Sequence, residues 1–403
     1  MSHSAWAIRL GAIVAGAAVT VLLAAIGRLL AGPAPGFLAG ALYAIAGIGP
    51  HIEGYTFNGE LAASVPSTAA VAAALVSWRR SSRPWLVVAA ALGGSAILMK
   101  QSGFDGLVVV LLVALSGRER ARTLALVAAC AAVPLGASAI AGWASGWSFY
   151  WSALVGDHLG HVTSASRATH LVASLPAAAR DLLPLVVLAF VGLWLVRKQP
   201  VQLRAGIAWI LAALVGVNLG GLYWPHYYVQ LLPPLCLLAA LALARLRERR
   251  LAWAVAAIVA LPSLGFVAGV MNAPAARQDL MVKYALGFEN DERIARYVRA
   301  HSTSRERVYA LESRADFYFL ASRVSAFPYL WGQPIQAIPG ALASLELILA
   351  SPRRPQLVVL FQRSPLHRHK VLRAIVDRYY RQIWQAPRTG TPVLASVSSR
   401  PRA

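Results

Sequence analysis

Acidic residues are scarce in this chain. It carries 16 Asp and Glu against 38 Lys and Arg in 403 residues, a formal net charge of +22. Cysteine is nearly absent. Cys130 and Cys236 each lie inside an apolar run, which argues against a disulfide framework or a cysteine metal cluster and leaves them as small hydrophobes. Charge of either sign is thin as well: 13% of residues are charged and 58% are hydrophobic. Soluble domains have about 25% charged and about 45–50% apolar residues, so this composition, with a mean hydropathy of +0.58, is that of a membrane protein.

The excess of positive charge invites a nucleic-acid partner, but its distribution excludes one. The basic clusters RRSSR (79–83), RERAR (118–122), RKQPVQLR (197–204) and RLRERR (245–250) are short and punctuate apolar runs. The turns between them are almost free of Lys and Arg: HIEGYTFNGE (51–60), the loop from Trp143 to Ser174, and YWPHYY (223–228). This alternation is the positive-inside pattern, which places the basic turns in the cytoplasm.

Crossing a hydrocarbon core of about 30 Å takes roughly 17–25 apolar residues. On that basis the segments Ala7–Leu30, Pro35–Gly49, Leu61–Trp78, Pro84–Lys100, Phe104–Ser116, Thr123–Gly142, Ala179–Val196, Ala205–Leu222, Val229–Ala244 and Leu251–Met271 read as about ten alternating spans. The first begins almost at Met1 and has no small-residue cleavage site, so it reads as a span and not a signal peptide. The pattern puts the N-terminus outside. After Met271 the chain turns polar. ENDERIARYVRAH (289–301) and HKVLRAIVDRYY (369–380) have helical periodicity, and RVYAL (307–311) and PQLVVLF (355–361) read as strands. The expected organisation is an all-α polytopic membrane domain over residues 1–272 and a small extracytoplasmic α/β domain over 273–403.

Polar chemistry collects on the outer turns. In HIEGYTFNGE, Glu53 and Glu60 can act as general bases, hold a sugar hydroxyl, or offer oxygen ligands to a divalent cation such as Mg²⁺ or Mn²⁺. The simpler reading is a solvated turn in which Asn58 caps the helix from Leu61 onward and Glu60 sits in its first turn. His51 completes the polar set. Lys100, in KQSGFD (100–105), either holds the phosphate of a lipid carrier or pairs with Asp105 at the membrane surface. Asp157 and His158, on one loop with His161 and His170, suit substrate contact better than a zinc site. Tyr223, His226 and Tyr227 in YWPHYY form either an interfacial aromatic belt or a platform for a sugar or isoprenoid chain. GxSxG, Walker A, Rossmann and CxxC patterns are all missing, so an activated lipid is the expected energy source. A transporter is disfavoured, because no acid or base stands out in the middle of a span.

Three stretches carry a resemblance. EGYTFNGELAASVP, LMKQSGFDGLVVVLLVAL and WPHYYVQLLPPLCLLAAL resemble, in that order, outer loops and spans of bacterial glycosyltransferases of the dolichyl-phosphate-mannose protein mannosyltransferase type. That family is GT-C-like and shares its fold with the lipid A aminoarabinose transferases. The tail DERIARYVRAHSTSRERVYAL resembles the α/β domain that closes many members. The resemblance implies sugar transfer from a polyprenyl-phosphate donor to a protein, lipid or polysaccharide acceptor at the outer face of the cytoplasmic membrane. By position it implies roles for Glu53, Asn58, Glu60, Lys100, His226 and Tyr227. Members place a first span and a first outer loop with a catalytic Asp, commonly followed by His-Lys-Pro-Pro, ahead of the segment matched here by Ala7 onward. The expectation is a late start or a shortened homologue that relies on Glu53 or Glu60, or that binds the carrier or an assembly partner without turnover.

Overall fold

A computed structural model describes residues 5–117, 119–151, 154, 164–246, 249–282, 288–311, 315–361, 364–387 and 389–397. They fall into two compact units, one over Ile8–Trp151 and Val162–Gly269, the other containing Val270–Ala403.

The first unit is a helical bundle. Its helices are α1 (Ala5–Ala31), α2 (Pro33–Ala46), α3 (Gly59–Arg80), α4 (Arg83–Met99), α5 (Asp105–Leu115), α6 (Arg120–Trp151), α7 (Ser164–Leu195), α8 (Pro200–Leu219), α9 (Leu232–Leu243) and α10 (Arg249–Asn272), with a 3-10 turn at Pro225–Leu231 before α9. Seven of the described helices are long and apolar enough to cross a membrane, the 3-10 turn and α9 counting together as one; α2, α4 and α5 are shorter apolar helices. The chain is a multi-pass membrane protein. Proline opens α2, α4 and α8 in the first turn, where a missing N–H costs nothing. Asn58 opens α3 by accepting the Leu61 N–H on Oδ1 at 2.8 Å, as its position before an apolar run predicts.

All twelve residues of α9 are buried; α9 packs against α2 and α7, while α3 packs on α4 and α5. The outward faces of α6 and α10 stay apolar. Ile140, Trp143, Trp253 and Leu261 are exposed, as expected of side chains that meet lipid.

One expectation changes here. The stretch read as a loop from Trp143 to Ser174 is helical over much of its length, because α6 breaks at Gly146 and resumes to Trp151, with Tyr150 folded back on Ser138, and α7 already starts at Ser164. Its Ala and Leu content sustains a helix although Ser, Arg and His lower its hydropathy. Asp157, His158 and His161 lie outside the described residues, and His170 is an exposed residue of α7.

The second unit holds a five-stranded sheet in the order β2-β1-β3-β5-β4. The strands are β1 (Arg307–Ala310), β2 (Val324–Ser325), β3 (Leu357–Val359), β4 (Tyr380–Gln385) and β5 (Pro392–Ser396). β1 runs parallel to β2 and β3, and β5 is antiparallel to β3 and β4. Side chains alternate across the sheet. Val308, Leu357 and Val359 pack with Ile294, Val298 and Phe317 on one face. Tyr309, Val358 and Leu394 pack with Leu345, Leu372 and Val376 on the other. Both helices and both strands expected from the periodicity form. The β4–β5 hairpin was not anticipated, because YRQIWQ follows directly on an amphipathic helix and reads as its continuation.

Candidate functional site

Successive helices of the first unit alternate in direction, so its turns sort into two ends. At one end lie Arg28, Arg79, Arg80, Arg83, Arg120, Arg122, Arg197, Lys198, Arg204 and Arg245, all at or near helix termini. At the other lie the turn from Gly47 to Asn58, the start of α3, the α4–α5 turn and the segment from Gly220 to the 3-10 turn. The polar residues singled out in the sequence meet at this second end.

One ion pair and one carboxylate–imidazole contact build the site. The Lys100 ammonium lies 2.6 Å from Glu60 Oε1, with the Glu60 side chain 2% exposed and that of Lys100 27%. Glu60 is in the first turn of α3, where the helix dipole favours an acid. Lys100 follows the last residue of α4 and also stands 4.7 Å from the centre of the Tyr227 ring, within cation–π range. The contact joins Glu53 Oε2 and His226 Nδ1 at 3.5 Å. His226 meets Tyr227 edge to face, so the two share one aromatic wall.

Asp105 takes no part in this cluster. Its Oδ1 accepts the Ser67 hydroxyl at 2.9 Å and its Oδ2 the Trp209 indole N–H at 2.7 Å. The expected pairing of Lys100 with Asp105 is therefore replaced. Asp105 turns inward as the first residue of α5, and Lys100 reaches across to α3. The KQSGFD turn is tied to the aromatic segment by Gln230, whose side-chain amide donates to Ser102 Oγ at 2.6 Å.

Backbone geometry marks the same segments. Glu53 has φ 55° and Tyr223 φ 48°, left-handed values that cost a non-glycine residue on the order of 1–3 kcal/mol and persist where surroundings enforce them. Around Glu53, Thr56 donates both its N–H and its hydroxyl to the Glu53 carbonyl, and Asn58 Nδ2 donates to Thr56 Oγ1. Tyr223 donates its hydroxyl to Asn218 Oδ1 at 2.6 Å, which makes it a brace more than a platform. Burial, then the charges of Glu53 and Asp181, push the Tyr55 phenol above its ordinary range.

Of the residues picked out in the sequence, Glu53, Glu60, Lys100, His226 and Tyr227 come together, with Asn58 holding the helix start beneath them. His51 faces elsewhere. Its Nδ1 and backbone N–H both lie on Asp181 of α7. Asp181 was not singled out, although ARDLLP (179–184) sets an Arg–Asp pair in a largely apolar stretch. As for a divalent cation, Glu60 faces the Lys100 ammonium and Glu53 the His226 ring, and among the described residues no three His, Cys, Asp or Glu converge. The two described carboxylates fall short of the roughly six or more oxygen ligands a divalent cation takes.

No protein-family profile and no curated protein sequence matches the chain. Solved structures do match it. The crystal structure of ArnT from Cupriavidus metallidurans bound to undecaprenyl phosphate is 16% identical, with a TM-score of 0.61 over 98% of this chain and 85% of that one. Its apo form gives a TM-score of 0.60 at the same identity, over 98% and 84%. The oligosaccharyltransferase AglB from Archaeoglobus fulgidus, in complex with an inhibitory peptide and a dolichol-phosphate, is 14% identical with a TM-score of 0.46, over 97% of this chain and 63% of that one. The chain has the GT-C fold: polytopic, with a small sheet-containing unit at its C-terminal end.

Proposed function

We propose that this protein is a membrane glycosyltransferase that moves a sugar from a polyprenyl-phosphate donor to an acceptor hydroxyl at the outer face of the cytoplasmic membrane. The observation that carries this reading is Lys100. It is a cation fixed at the edge of a membrane bundle by the buried Glu60 and the Tyr227 ring. An ammonium costs about 2.5–3.5 kcal/mol at the centre of a membrane helix and less at its end, where Lys100 stands. A lipid phosphate is an anion delivered to that depth, and a structure of the same fold contains undecaprenyl phosphate. The basic turns at the opposite end of the bundle support an outward-facing site.

In this reading the acceptor oxygen forms a bond to the anomeric carbon of the donor sugar. The bond from that carbon to the phosphate oxygen breaks, and its electron pair leaves on the carrier phosphate. Lys100 stabilises the charge that develops there, an electrostatic task suited to a preorganised cation. The acceptor proton passes to a general base. Glu60 is engaged by Lys100 at 2.6 Å and serves to hold that cation. Glu53 has the looser partner, His226 at 3.5 Å, and stands at a strained backbone position, so it is the base in this scheme. His226 can pass the proton onward.

The test is transfer of radiolabelled sugar from polyprenyl-phosphate mannose, glucose and aminoarabinose in membranes, comparing wild type with Glu53→Gln and Lys100→Met. Transfer by wild type, reduced about 10²–10⁴-fold in Glu53→Gln at equal protein level, is the expected result for loss of a general base. Absence of transfer from every donor, with undecaprenyl phosphate still bound, would instead make the chain a carrier-binding protein.

A further inference from the structure

The turn that carries Glu53 is anchored to a distant helix by one buried carboxylate. Asp181 of α7 is 6% exposed. Its Oδ2 accepts the His51 N–H at 2.9 Å, and its Oδ1 lies 3.1 Å from His51 Nδ1. Both oxygens thus engage a single residue 130 positions away in sequence, through its backbone and through its ring. A carboxylate oxygen accepts, so the ring bond places a proton on Nδ1. Gly49 makes room for the contact, since a methyl group there would stand 2.6 Å from Asp181 Oδ2.

From His51 the constraint runs to Glu53 within two residues. The Ile52 and Glu53 N–H groups both donate to the Gly49 carbonyl, at 3.1 Å each. The glycine against which Asp181 packs is therefore the acceptor that closes the turn. Glu53 then takes its left-handed φ of 55°. Burying a charged group is expensive unless it is paired and hydrogen-bonded. Only a carboxylate accepts from the backbone N–H and a ring N–H at once; an asparagine would have to donate to the ring and so force its other tautomer. The carboxylate thus holds the His51 ring and backbone together.

We propose that Asp181 is a positioning residue for sugar transfer, which through His51 holds the 49–56 turn so that Glu53 meets His226 and the acceptor. This rests on the reading of Glu53 as the general base.

The experiment uses the full chain in nanodiscs with polyprenyl-phosphate sugar as donor. It compares wild type, Asp181→Asn, His51→Ala, Glu53→Gln and the Asp181→Asn/Glu53→Gln double variant. Turnover, donor KM and hydrogen exchange of the turn amides are measured. Asp181→Asn is expected to lower kcat roughly 10- to 100-fold, the scale of a lost hydrogen bond to a charged group. Donor KM should stay within about twofold, because Lys100, Glu60 and Tyr227 are untouched, and the turn amides should exchange roughly tenfold faster or more. In the Glu53→Gln background the same change should cost little further turnover, which a merely structural residue would not show. His51→Ala, which keeps the backbone bond, should give a smaller loss of the same pattern; it carries the test if Asp181→Asn misfolds. Wild-type turnover or unchanged exchange in Asp181→Asn would overturn the proposal, as would an undiminished loss in the double variant. If wild type transfers from no donor, the glycosyltransferase reading and the catalytic role fall together. The exchange measurement then decides separately whether Asp181 holds the turn.

Discussion

Glu60 and Lys100 show how one pair can carry both folding and chemistry. Truncating Lys100 leaves the Glu60 carboxylate buried without its cation, which for a buried pair costs about 3–5 kcal/mol. Lys100→Met should therefore melt well below wild type in detergent. Adding Glu60→Gln should recover most of that stability, because the uncompensated charge is gone, yet sugar transfer should stay lost. Recovery of transfer together with stability would show that Lys100 serves only the fold. Asn58 allows a smaller test. Asn58→Ala removes the acceptor of the Leu61 N–H and should cost about 0.5–2 kcal/mol, read as a lower melting temperature.

At the scale of elements, the α3–α5–α8 contact centres on Asp105, held between Ser67 and Trp209. Gly106 lies so close to α3 that a methyl group would collide with the Ser67 backbone. Small residues let membrane helices approach in this way. Trp209→Phe should leave one Asp105 oxygen without its donor and destabilise by about 1–3 kcal/mol. Gly106→Ala should separate the helices, with a similar or larger loss for an overpacked contact. Both effects should appear as lower thermal stability of the purified protein. If Trp209→Phe melts like wild type, the indole bond contributes nothing.

For the whole molecule, the charge distribution makes a topological prediction. Cysteines placed singly at Phe57 and Thr303, with Cys130 and Cys236 replaced, should react with an impermeant thiol reagent added to intact cells. A cysteine at Ser82, beside the Arg79–Arg83 cluster, should react only after the membrane is opened. The reverse pattern would invert the assignment and remove the outer-face site. The ends of the bundle differ in kind: one is lined by arginines that suit the cytoplasmic side, the other by the Lys100–Glu60 pair, the Glu53–His226 contact and the aromatic wall.

Much of this was legible in the sequence, for identifiable reasons. Long apolar runs and short basic turns defined the helices and the two ends of the bundle, because lipid tolerates no unsatisfied backbone and charge bias orients the loops. Periods of 3.6 and 2 located the helices and the central strands of the second unit. Glu53, Glu60, Lys100 and His226 stood out as rare polar residues at apolar boundaries. Which of them pair was decided only by tertiary structure. Lys100 could reach Asp105 locally, but folding turned Asp105 inward to Trp209 and brought Glu60 to the lysine. Asp181 and His51 are joined across 130 residues, a distance over which no local pattern carries information. The sequence determined which groups stand at the membrane boundary; packing of the helices decided which face one another, because a buried charge must find whichever partner the fold brings within hydrogen-bonding reach.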